Sequence, residues 1–161
     1  MRKTLETISL AALALQVWIY CRISYGPDRL PDRIPIHFDL AGNANGWGTP
    51  KSLIFFPIVS VALYLLLTVV VQFPSTFNYP IPVTDPNRAR LQALAIDLVT
   101  WIKMELVCTF ALLLWTCIHL ALHPDPAIHS AFLFLPVGVV FVTVAWFIVA
   151  MLRAGRLQSA H

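Results

Sequence analysis

Charge is scarce in this 161-residue sequence, with 12% of residues Asp, Glu, Lys or Arg against 58% hydrophobic. A soluble domain with that balance would expose more apolar surface than its polar groups could cover, so lipid is the implied solvent. Cysteine is scarce as well. Cys21, Cys108 and Cys117 form no CxxC pair and no zinc-ligand spacing, and they read as small apolar residues. No GxSxG elbow, HExxH pair or phosphate-cradling glycine loop occurs, so a non-enzymatic protein without a cofactor is expected. The formal net charge of +3 is small and scattered, which argues against a nucleic-acid partner. Internal repeats and low-complexity segments are missing too.

What is present is long apolar runs. They cover about residues 5–25, 53–73, 104–122 and 131–152, each close to the ~20 residues that cross a ~30 Å hydrocarbon layer as a helix. The second and fourth carry no charge; the first holds Glu6 and Gln16, and the third is preceded by Lys103 and includes Glu105. The expectation is an all-α integral membrane protein of one domain, with four transmembrane helices. Met1, Arg2 and Lys3 lead into the first run with no small-x-small pair beyond it, so an uncleaved signal anchor is expected.

Basic residues suggest an orientation. Arg2, Lys3, Arg88, Arg90, Arg153 and Arg156 would share one side, while Arg22, Arg29, Arg33 and Lys51 on the other are offset by three aspartates. The positive-inside rule then places both termini and a 74–97 loop in the cytoplasm, and a 26–52 loop outside.

Between the first two runs, Pro27, Pro31 and Pro35 forbid a regular helix. Ile34, Ile36 and Phe38 alternate with Pro35, His37 and Asp39, predicting a short extended piece. Tight turns are expected around Asn45-Gly46, where positive φ is tolerated. Thr49 with Pro50 predicts a capped helix start, and Thr84 or Asp85 predicts another near Pro86. Leu91, Leu94, Ala95, Leu98 and Ile102 fall opposite Arg88, Arg90, Gln92 and Asp97, an amphipathic entry that should protrude from the membrane or lie along it.

Two segments together, LPDRIPIHFDLAGNANGWGTPKS over residues 30–52 and FNYPIPVT over residues 77–84, carry a resemblance. The chain resembles the bacterial membrane domain of unknown function numbered 1648, in which a loop of the form LP..IP.H....G...G.G follows the first helix. That domain also forms the N-terminal part of SdpI-like immunity proteins. The resemblance implies a bacterial plasma-membrane protein with a structured outer loop and no assigned activity.

Three groups of residues are candidates for function. The first is the loop set Pro35, His37, Asp39, Gly42, Asn45, Gly46, Trp47, Gly48 and Lys51, read either as a recognition surface anchored by Trp47 or as a folded cap that satisfies its own turns. The second is Lys103 and Glu105 at the inner boundary. Lys103 could snorkel to the interface, and Glu105 would need water or a partner such as Gln16, Tyr64 or another subunit. The third is His37, His119, His123 and His129 with Asp39 or Asp125, a weak metal candidate beside the plainer reading of interfacial histidines.

The leading expectation is a binding protein of the membrane, an accessory subunit of a larger complex, with the lipid bilayer and either a membrane-protein complex or a homo-oligomer as partners. The alternative is a small transporter or an SdpI-like immunity or signalling protein using polar groups such as Glu105.

Overall fold

The computed structural model describes residues 1–25, 30–39, 42–123 and 130–156, with side chains omitted at 130–133 and 155–156. Four helices are long and apolar enough to cross a membrane. They are α1 (Arg2–Tyr25), α2 (Phe55–Val70), α3 (Asp85–Leu122) and α4 (Ser130–Arg156). A 3-10 turn, Pro50–Ile54, leads directly into α2 and extends that candidate span to Pro50–Val70. The chain is a multi-pass membrane protein.

Helix starts follow the capping chemistry in the sequence. Thr49 and Thr84 are N-caps with extended backbone, each followed by a proline in the first turn and completed by a capping box. In the first box the Thr49 N–H donates to Ser52 Oγ at 3.2 Å, and in the second the Thr84 N–H donates to Asn87 Oδ1 at 2.8 Å. Pro57 sits near the start of α2, where the missing N–H breaks little of the helical ladder.

α3 is the spine of the bundle, packing against α1, α2 and α4. At 38 residues it is roughly 57 Å long at ~1.5 Å per residue, and it runs unbroken through the expected boundary at 104. Its N-terminal turns are not free on a surface. Leu91 and Ala95 are buried against Met151 and Ala154 of α4, with Phe77, Tyr79 and Ile81 of the preceding loop packed alongside. The apolar stripe read as a membrane-surface face is therefore covered by protein. Tyr79 closes this cluster by donating its hydroxyl to the Pro74 carbonyl at 2.6 Å, and burial pushes its phenol pKa upward.

The chain is not wholly helical. Strands β1 (Ile34–Phe38) and β2 (Ala44–Gly48) pair antiparallel into a hairpin between α1 and α2. The register couples Ile34 with Gly48, Pro35 with Trp47, His37 with Gly46 and Phe38 with Ala44, with irregularities on either side of His37. That bulge breaks the expected alternation: Ile34 and Pro35 are both buried, and Ile36 and His37 are both exposed.

The reversal is also displaced from the expected site. It lies between Phe38 and Ala44, of which residues 40 and 41 are outside the described set, and Gly42 takes the positive φ of 87°. Asp39 organises it, accepting the Asn43 backbone N–H at 2.9 Å while its own N–H donates to the Asn43 carbonyl at 2.9 Å. Asn45 and Gly46 are thereby left inside β2. Gly46 is needed there for space rather than for its φ, since a Cβ would stand 2.6 Å from His37 Cβ.

Candidate functional site

The hairpin is seated on one end of the bundle by its inward residues. Ile34 is fully buried in a cluster with Leu53, Phe56, Leu114 and Cys117, and Phe38, Tyr20 and Phe110 pack against it. Elements from α1, β1, the 3-10 turn, α2 and α3 thus share one core. A two-stranded hairpin is marginal alone in water, so this docking is what holds its outer face in one shape.

That outer face carries only part of the predicted recognition set. His37, Asn45, Trp47 and Lys51 are exposed; Asp39, Gly42, Gly46 and Gly48 are half-buried; Pro35 is buried and cannot reach a partner. Trp47 is the largest exposed group, with 50% of its surface open and the Arg33 guanidinium 5.4 Å from its ring centroid. His37 Nδ1 lies 2.5 Å from Asn45 Oδ1, tying the two strands together across the surface. Gly48 is again a matter of space, because a Cβ there would meet Ile36 Cδ1 at 2.8 Å and Ser52 Oγ at 2.9 Å.

Inside the bundle the structure brings together groups that lie far apart in the sequence. Lys103 is 1% exposed and does not snorkel to an interface. Its ammonium donates to Glu6 Oε1 at 2.5 Å and to Thr68 Oγ1 at 3.0 Å, and it stands 4.6 Å from the centre of the Tyr64 ring. The Tyr64 hydroxyl donates to the other Glu6 oxygen at 2.9 Å. Three helices contribute to this cluster, so it pins α1, α2 and α3 at a fixed depth. A second bridge lies deeper: Gln16 Nε2 donates to the Val107 carbonyl at 3.2 Å and accepts from Ser60 at 2.9 Å.

Glu105 stands apart from both. Its expected partners Gln16 and Tyr64 are engaged elsewhere, and instead Thr143 of α4 donates to Glu105 Oε1 at 2.5 Å. Glu105 is 8% exposed, and its Oε2 is buried with no hydrogen-bond partner. It borders a cavity of about 320 Å³ between α3 and α4, together with Trp101, Cys108 and Pro136.

The histidines stack rather than converge. Trp115, His119 and His123 form a column along α3, with ring centroids 4.9 Å and 4.7 Å apart. Face-to-face rings direct their nitrogens outward in parallel planes, so this i,i+4 pair does not aim two lone pairs at one ion. Among the described residues no three His, Cys, Asp or Glu side chains are grouped to hold a metal. His129 and Asp125 lie outside the described residues.

The sequence alone does not disclose the Glu6–Lys103 pair, because the third apolar run begins at Met104 and places Lys103 at an interface. A usable signal is the similar depth of Glu6, about one turn beyond Arg2 in α1, and Lys103, somewhat under two turns beyond Asp97 in α3. Arg2 pairs with Asp97 at 2.5 Å, which fixes the relative register of the same two helices.

Residues 8–61 match the family model described as Domain of unknown function (DUF1648). The matched segment takes in most of α1, the hairpin and the first turns of α2, and leaves α3 and α4 outside. The chain is also similar to an uncharacterized protein of Archaeoglobus fulgidus, 30% identical over 86 residues. That alignment covers 48% of this chain and 45% of the relative, so the chain spans less than half of the protein it matches. No solved structure matches.

Proposed function

We propose that this chain is a non-enzymatic plasma-membrane protein that binds a protein partner through the hairpin between α1 and α2, as an accessory subunit of a membrane complex. The observation that carries this reading is the hairpin itself, locked to the bundle core by Ile34 while presenting Trp47 and Arg33 outward. A rigid aromatic anchor beside a cation is the kind of surface on which binding energy concentrates. In this reading the hairpin faces outward and both termini are cytoplasmic, consistent with Arg2, Lys3, Arg88, Arg90 and Arg153 lying at the opposite end of the helices.

Purification of the full chain in a mild detergent, followed by identification of retained chains, tests the proposal. Trp47→Ala is expected to weaken retention by about 2 kcal/mol, roughly thirtyfold, without altering helicity. A monodisperse homo-oligomer with no associated chain, unchanged by Trp47→Ala, would sink it.

One observation favours a second reading, a small transporter or immunity-like protein: the buried, half-partnered carboxylate of Glu105 beside a cavity. Glu105→Gln separates the two. The amide oxygen can still accept from Thr143, so partner retention and thermal stability should be near wild type if binding is the role. Loss of solute movement or of toxin protection in that variant, with partner binding intact, would favour the second reading.

A further inference from the structure

The seam between α3 and α4 is not closed. Three cavities follow it and share walls, because Leu94, Val142 and Trp146 border the first two and Trp101 borders the first and third. They follow one another along the seam as a groove, with Arg90 and Arg153 beside the cavity at one end and Glu105 beside the cavity at the other. Along α3, Arg90 and Glu105 are separated by roughly 22 Å at ~1.5 Å per residue, more than the ~15 Å of one hydrocarbon leaflet. Beyond its mouth the groove is walled mainly by Leu94, Trp101, Val142 and Trp146, and the carboxylate on that wall, Asp97, is paired with Arg2.

The two arginines of the mouth differ from the neighbouring Arg2 and Arg88 in their partners. Arg2 is held by Asp97 and by the Ala93 carbonyl, and Arg88 is held by Asp85. Arg90 and Arg153 are exposed and have neither an ion pair nor a hydrogen bond among the described residues. Two unneutralised guanidiniums thus flank an apolar slot at the end of the bundle where α3 begins and α4 ends.

We infer that this groove binds an anionic glycerophospholipid, with its phosphate between Arg90 and Arg153 and an acyl chain along the α3–α4 seam. Charge complementarity selects the headgroup, since guanidinium groups match phosphate geometry bidentately and basic pockets between membrane helices attract anionic lipids. The apolar walls select a lipid over a free phosphate ion. A zwitterionic lipid brings an ammonium of its own to the same mouth and gains less from the arginines.

The full-length protein in detergent, titrated separately with phosphatidylglycerol and phosphatidylcholine and read by native mass spectrometry, tests this. Wild type is expected to prefer phosphatidylglycerol by about tenfold or more. Arg90→Gln with Arg153→Gln should abolish that preference, while Arg88→Gln should keep it. Ala150→Trp fills the slot and leaves both arginines in place, so it should lower phosphatidylglycerol uptake by about fivefold or more; Ala145→Trp serves the same purpose if Ala150→Trp does not accumulate. The inference is overturned by equal binding of the two lipids, by a preference that survives the double arginine variant, or by normal uptake in the filled-groove variant. Cross-linking through the groove wall to a second copy or to a partner helix would overturn it too.

Discussion

Glu6→Ala is expected to destabilise the helix bundle by about 3–5 kcal/mol, because it leaves the Lys103 ammonium buried without its counter-charge. Lys103 is 1% exposed, and the neighbours that would remain, Thr68 at 3.0 Å and the face of Tyr64, supply no negative charge. Glu6 keeps about a third of its side chain open, which points to the lower end of that range. A denaturant titration of the detergent-solubilised protein, followed by circular dichroism, measures the loss. Lys103→Met should cost less than Glu6→Ala, since the carboxylate it strands can still reach water and retains the Tyr64 hydroxyl. Replacing the pair together, by Glu6→Leu with Lys103→Met, should recover most of the stability, because no isolated charge is left behind. Additive losses in the double variant would show that the pair is not coupled.

Ile34→Ala should cost about 2–5 kcal/mol, the usual range for emptying a fully buried aliphatic site. The consequence reaches further than the number, because Ile34 is where β1 meets Leu53, Phe56 and Leu114. Without that anchor the hairpin keeps its own ladder, which is marginal, and the lesser contacts of Pro35 and Phe38. Tryptic cleavage after Arg33 and Lys51 should accelerate sharply in Ile34→Ala. Ile36→Ala, two residues along the same strand but on the exposed side of the bulge, should stay within about 0.5 kcal/mol of wild type and cleave at the wild-type rate. Equal protease sensitivity in the two variants would refute the docking role of Ile34.

Much of the architecture is legible in the sequence because membrane spans impose a length and composition rule that needs no tertiary knowledge. The uncharged runs around Leu65 and Val142 could hardly be anything else, and Thr49-Pro50 and Thr84 with Pro86 mark helix starts by local chemistry alone. Legibility fails where a residue's role depends on what lies across from it. Gly46 looks like a turn glycine until His37 is seen opposite, and the 39–43 reversal depends on which strand residues pair. Lys103 looks like a snorkelling residue until α1 brings Glu6 beside it.

The same division holds for the candidate sites. Composition and periodicity by themselves determined that this chain suits lipid, has four helices long and apolar enough to cross it and carries a proline- and glycine-rich segment between the first two, because those properties follow from residue type and spacing. Only the tertiary structure decided that the segment is a docked hairpin with Trp47 outward and Pro35 inward, that Lys103 is neutralised while Glu105 is half-partnered, and that Arg90 and Arg153 flank one groove. Those outcomes depend on distances between residues tens of positions apart, and a one-dimensional pattern carries no information about which faces of its helices will meet.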